Sequence, residues 1–296
     1  MVRGESLLMP FLRQQDGVVT TAQALSVGVT ARQLRTLIRA GWTQPARGVY
    51  VCPNPVDAFR ASVRAALLAC PDGAACETTA GRIQELWGLP LWTPSELPQL
   101  LVPGTARRPQ RPGMRLHYGL EPHLVQLRRG ARVTHLARTV RDLAAQLGPD
   151  DLVCLLDSAL RQGWKPEDYP LSRSREARVR AALRLADSRS ESPLETRARL
   201  VLTRAGLPPE VLQLNVFDRD GRWIARVDMA WMSRRVIVEL DGLEYHEKPD
   251  AVLRDRDRQN RLAGAGWTLL RFTWYDIVHR PAYVIARVRA ALALAA

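Results

Sequence analysis

Between Trp223 and Gly242 the chain holds two apolar runs that carry acids where a buried sheet would be. The first, Trp223 to Trp231, contains Asp228. The second reads Val236-Ile237-Val238-Glu239-Leu240-Asp241-Gly242. Side chains alternate faces along a strand. Val236, Val238 and Leu240 therefore share one face, and Ile237, Glu239 and Asp241 the other. Two neighbouring strands of this kind aim three carboxylates, Asp228, Glu239 and Asp241, at one place. Crowded acids in a buried sheet are costly, because each raises the pKa of the next. A hard divalent cation with oxygen ligands relieves that cost. The pattern predicts a Mg²⁺ (or Mn²⁺) site that activates water and neutralises charge on a phosphodiester. The plainer alternative is a set of solvated strand ends facing Arg226, Arg234 and Arg235.

Other residues bear on the same chemistry. Glu195 stands three residues after Ser192, with Pro193 at the first helical position; capping and catalysis are both open for it. His246 lies just beyond Asp241. Its near-neutral unperturbed pKa suits an acid, a base or a phosphate contact. Arg254 and Arg258 share a helix face one turn apart and can meet phosphate bidentately. The alternative for this helix is a row of surface ion pairs, Asp255 with Arg258 and Asp257 with Arg261. Lys248 is a further candidate for stabilising developing charge. The remaining histidines, His117, His123, His135 and His279, lack metal-ligand spacing and read as structural. No Gly-rich phosphate loop, nucleophile elbow or His-Glu-x-x-His pattern occurs.

The formal net charge is +13 over 296 residues, carried almost wholly by arginine. Such an excess points to a polyanionic partner, most simply nucleic acid. The four cysteines lie far apart without a Cys-x-x-Cys pair. They read as small buried hydrophobes of a reducing compartment rather than a zinc cluster or disulfide frame. Met1 to Asp16 lacks the pattern of a signal peptide, and no run has the length of a membrane span. The expectation is a cytoplasmic chain.

Its length suits two or three domains. Residues 1–52 read as three short helices and a β-wing: Glu5 to Gln14, a helix capped by Thr20 or Thr21, a helix from Ala31 to Ala40 capped by Thr30, then Trp42 to Gln44 and Val49 to Val51 as a hairpin. This order is that of a winged helix-turn-helix. Arg32, Gln33, Arg35 and Arg39 decorate the third helix opposite Leu34, Leu37 and Ile38, and Arg47 lies on the wing. These five are the candidate DNA contacts. Residues 53–188 read as a mostly helical middle region with strands at Leu100–Val102 and Met114–Tyr118. Residues 189–296 read as α-β-β-β-α-β-α, which implies a mixed sheet with helices on its faces. The fold class is α/β (α+β).

The C-terminal residues resemble the PD-(D/E)XK nuclease superfamily, in the branch near very-short-patch repair endonucleases. The resemblance runs through Ser192-Pro193-Leu194-Glu195, Arg226-Val227-Asp228, Val238-Glu239-Leu240-Asp241-Gly242, Tyr245-His246, Asp255 with Arg258, Gly266-Trp267 and Leu269-Leu270-Arg271. It implies a metal-dependent phosphodiesterase with Asp228 and Glu239 as ligands. The superfamily's usual lysine is replaced by Asp241, which leaves His246, Lys248 and Arg258 as candidates for proton handling. The N-terminal half resembles AbiEi-type antitoxins of type IV toxin–antitoxin systems. That resemblance rests on Val18-Val19-Thr20-Thr21-Ala22-Gln23-Ala24, Leu34 to Gly41, Arg47-Gly48-Val49-Tyr50 and Arg138-Thr139-Val140-Arg141-Asp142-Leu143. It implies DNA binding, often autoregulatory.

Two functions compete at this point. One is a DNA endonuclease with its own duplex-binding module, serving defence or repair. The other is a regulator or antitoxin whose nuclease-like domain binds without cutting. Expected partners are double-stranded DNA, a second copy of the chain and, for the regulator, a cognate toxin.

Overall fold

The computed structural model describes residues 4–104, 112–168, 173–242 and 249–294. The chain divides into two compact units: Met1–Gln146 with Pro166–Pro170, and Leu147–Lys165 with Leu171–Ala296.

The first unit opens with α1 (Glu5–Gln14), β1 (Val18–Thr20), α2 (Thr21–Ser26), α3 (Ala31–Arg39), β2 (Thr43–Ala46) and β3 (Val49–Val51). Thr20 and Thr30 each cap the following helix in a reciprocal box with Gln23 and Gln33, satisfying amides that no helical carbonyl can reach. Leu8, Val19, Ala24, Val29, Leu34, Leu37 and Trp42 form the core beneath. The strands pair in the order β1-β3-β2, completing the winged helix-turn-helix. Strand β1 was not foreseen, because three residues are too few to show alternation.

There follow α4 (Ala58–Ala69), β4 (Ala74–Ala75), α5 (Glu77–Ile83), β5 (Gln99–Val102), β6 (Arg115–Tyr118), β7 (Val125–Arg128), β8 (Ala131–Thr134) and α6 (Leu136–Ala144). Five of these elements form one sheet in the order β6-β5-β4-β8-β7. Strands β5 and β6 fall where the sequence placed strands, and helix still outweighs strand across residues 53–188; the sequence did not show β4, β7 and β8. These three are two to four residues long, too short for a periodic signal.

The second unit contains α7 (Pro149–Arg161), α8 (Arg173–Leu183), α9 (Pro193–Arg204), β9 (Val211–Phe217), β10 (Trp223–Trp231), β11 (Val236–Asp241), α10 (Pro249–Gly264), β12 (Thr268–Thr273), α11 (Trp274–His279) and α12 (Pro281–Leu294). The region 53–188, read as one middle segment, is thus shared between the units. Helices α7 and α8 go with the C-terminal sheet. Acids of α7 meet arginines of α9: Asp157 with Arg199 at 2.7 Å, Asp150 with Arg204 at 2.9 Å, and Asp151 with Arg197. The sheet order is β12-β11-β10-β9, with β9, β10 and β11 antiparallel and β12 parallel to β11. Leu194, Ala198 and Leu202 of α9, with Val284 and Val288 of α12, cover Met229, Trp231, Val236 and Val238. Leu262 of α10 packs with Ala230 and Ile237. The mixed sheet with flanking helices is as the sequence implied. The short helix α11 was missed.

Among the described residues no helix is long and apolar enough to cross a membrane. All four cysteines are free, and Cys70, Cys76 and Cys154 are buried. Burial pushes the Cys154 thiol up to about 12.

Candidate active site in the C-terminal unit

Strands β10 and β11 pair from Met229↔Val238 to Trp231↔Val236. Asp228 lies where this ladder gives out. Its Oδ2 accepts the Leu240 N–H at 2.8 Å, taking the place of a β10 carbonyl. The Gln213 side chain of β9 also bonds Asp228, and its Nε2 donates to Glu195 Oε2 at 2.8 Å. Glu195 in turn accepts from the Glu191 N–H at 2.7 Å and from Ser192 Oγ at 3.0 Å. Of the two roles left open for Glu195, the geometry shows the structural one and puts the side chain next to a second acid. It closes the N-terminus of α9, and it stands beside Asp228.

These acids disturb one another. Burial is the first cause that raises Asp228, and the charges of Glu195 and Glu239 add to it, bringing it to about 7. Burial likewise raises Glu195. Among the described residues, every hydrogen bond reaching Asp228 comes from a neutral donor, and no guanidinium balances it.

Glu239 and Asp241 are in a different situation. Arg258 of α10 grips Glu239 with two bonds of 2.7 Å. Arg271 of β12, beside β11 in parallel register, grips Asp241 at 2.6 and 3.2 Å. Asp255 links the two arginines, accepting from Arg258 at 3.1 Å and from Arg271 at 2.5 Å. Burial works against the Asp255 charge, yet both guanidiniums hold its carboxyl below the usual range.

The structure thus corrects the expectation of three converging carboxylates. Asp228 and Glu239 lie on adjacent strands where the β10–β11 ladder gives out, whereas Asp241 is held by Arg271 of β12. Among the described residues no three acidic, imidazole or thiol groups converge as metal ligands. The donor chemistry fits a smaller set. Mg²⁺ is commonly held by one or two carboxylates, with water and substrate oxygens completing its shell. Asp228, uncompensated and crowded by acid, and Glu239 suit that description.

His246 and Lys248 lie outside the described residues, as does the side chain of Arg254. Gln213 and Arg271 were not singled out as site residues. Nothing in the local sequence marks Gln213, and only its cross-strand position gives it a role. In the N-terminal unit, Arg32, Arg35, Arg39 and Arg47 are exposed, as a contact surface requires. Gln33 is different: its Oε1 accepts the Thr30 N–H at 2.8 Å, so its amide serves the cap of its own helix.

Comparison with known proteins agrees with this division. Residues 221–292 match the family model REase_MTES_1575, a restriction-endonuclease-like domain. Residues 6–53 match AbiEi_4, described as "Transcriptional regulator, AbiEi antitoxin". Two curated relatives come from strains of Mycobacterium tuberculosis, "Uncharacterized protein Rv2248" and "Uncharacterized protein MT2308". Each is 32% identical over 197 residues, covering 64% of this chain and 71% of the relative. The chain belongs to their family. This member joins an AbiEi-type regulator domain to a restriction-endonuclease-like domain. The family match over β10, β11, α10 and β12 takes in Asp228, Glu239, Asp241, Asp255, Arg258 and Arg271. Glu195 and Gln213 lie N-terminal to it.

Proposed function

We propose that the protein binds duplex DNA through its N-terminal unit and hydrolyses phosphodiester bonds with its C-terminal unit. The observation carrying this reading is Asp228, a half-buried carboxylate without a cationic partner among the described residues, beside Glu195 and Glu239 in a restriction-endonuclease-like fold. A binding module has no reason to gather uncompensated acid where it meets an anion. Asp228 and Glu239 would hold Mg²⁺ or Mn²⁺, which when bound lowers the pKa of water and neutralises phosphate charge. Gln213, itself held by Glu195, fixes the Asp228 carboxylate. Arg258 orients Glu239 and presents the planar donor fork that suits a phosphate. His246 is the candidate to hold or deliver a proton. Arg32, Arg35, Arg39 and Arg47 would meet backbone phosphates, which set position rather than sequence preference.

A second reading has its own support. The guanidiniums on Glu239 and Asp241 supply internally the positive charge a metal would bring. That favours a DNA-binding regulator of the AbiEi type, whose C-terminal domain does not cut and whose further partner is a cognate toxin.

Cleavage of supercoiled plasmid and of labelled oligonucleotides with Mg²⁺ or Mn²⁺ separates the two. The wild type should cut, and Asp228→Ala or Glu239→Ala should lower the rate by about 100-fold or more, the scale of losing a charge-stabilising group in an active site. Equal cutting by both variants would place the chemistry elsewhere. Promoter footprints without cleavage of any substrate would establish the regulator.

A further inference from the structure

The β9–β10 hairpin presents a polar and aromatic track that leads away from Asp228. At its far end Phe217 and Trp223 are cross-strand partners, 53% and 56% exposed. One step closer, Asn215 pairs with Arg226. Next come Gln213 and Asp228, whose side chains meet. Hydrogen bonds place these groups on one side of the hairpin. Trp223 Nε1 donates to Asn215 Oδ1 at 3.2 Å. Arg226 bonds Glu191, whose own N–H donates to Glu195. The order along the track is aromatic, guanidinium, carboxylate.

The platform is also rigid. Asp218 Oδ1 accepts the N–H groups of Asp220 and Arg222 at 3.0 and 2.8 Å, locking the turn. Arg261 of α10 donates to the Trp223 carbonyl at 3.0 Å, tying the hairpin to the helix below. Large aromatic faces left half in water, held stiff and flanked by exposed Arg219 and Arg222, match what unpaired bases and their phosphates require. Five strand steps separate Trp223 from Asp228, about 16 Å, or a few nucleotides.

We propose that Phe217 and Trp223 form a base-stacking platform that seats an unpaired DNA base a few nucleotides from the candidate active site, so that the preferred substrate is duplex DNA containing unpaired bases. This deepens the proposed function and rests on its DNA-binding part. The ordinary alternative is a cross-strand aromatic pair that only stabilises the hairpin.

The test uses the full chain with three probes: a matched duplex, the same duplex carrying one unpaired 2-aminopurine, and RNA of the same sequence. Anisotropy reports affinity, and 2-aminopurine fluorescence reports stacking. The wild type should bind the unpaired duplex about 5- to 100-fold more tightly than the matched one, with quenched fluorescence. In the double variant Phe217→Ala, Trp223→Ala the affinity ratio should fall to about one and the quench should vanish. Trp223→Phe, which keeps an aromatic face, should retain most of both, and thermal unfolding of each variant checks that the fold persists. Equal binding of both duplexes by the wild type, a preference that survives the double variant, or stronger binding of RNA would overturn the platform. In the first two cases cleavage of matched plasmid would leave the nuclease reading intact. Failure of the wild type to bind any DNA would overturn both.

Discussion

Asp228 ionises at a cost that can be followed by titration. Its folded pKa of about 7 lies above the ordinary 3.8, because burial and the neighbouring acids disfavour the charge. The folded state therefore keeps a proton that the unfolded chain loses. Stability from this group is intact below about pH 4 and declines until about pH 7, where the folded group also ionises. Asp228→Asn should thus match the wild type near pH 4 and exceed it above pH 7, by at most about 4 kcal/mol, in thermal unfolding without divalent ions. A variant no more stable than wild type at pH 8 would show that the charge is already compensated. The cost of this acid was legible in the sequence, because a carboxylate inside an apolar run announces its own expense. Its partners were not. Gln213 gains its role from a cross-strand position, and Arg271 reaches Asp241 because β12 lies parallel to β11. Register of that kind is set by tertiary packing, so nothing in the local sequence around Asp241 marks its pairing with Arg271.

At the scale of elements, legibility followed length and capping chemistry. Helix α1 and strand β10 have the bounds their patterns predicted. The short strands β4, β7 and β8 carried no such signal. Helix α3 shows both outcomes on one surface. Its Leu34 and Leu37 are buried, and Arg32, Arg35 and Arg39 are exposed, as its periodicity required, but Ile38, expected on the inward face, is exposed at the edge of that stripe. Gln33 instead spends its amide on Thr30. Arg32→Ala with Arg35→Ala should accordingly weaken binding to all duplexes alike. Each lost phosphate contact should flatten the slope of log affinity against log salt by about 0.9. Gln33→Ala should leave that slope in place and cost about 1 kcal/mol of stability through the lost cap. An unchanged slope in the double arginine variant would remove α3 from the DNA surface.

Across the whole molecule, the partition falls after Gln146, not after residue 188, where the sequence reading placed a boundary. The reason is electrostatic as well as apolar. Asp157 is fully buried against Arg199 and Thr196, and Leu152, Leu155 and Leu156 of the same helix are buried with it. A fragment of residues 147–296 should therefore unfold cooperatively in urea, whereas one of residues 189–296 should show no cooperative transition. A cooperative shorter fragment would mean that α7 is dispensable. The acid–arginine clasp between α7 and α9 also bears on ancestry. Recombination that grafts this nuclease-like module onto another N-terminal unit must cut upstream of α7, because a seam after residue 188 would remove the carboxylates that hold Arg197, Arg199 and Arg204 and uncover the face of α9 they share.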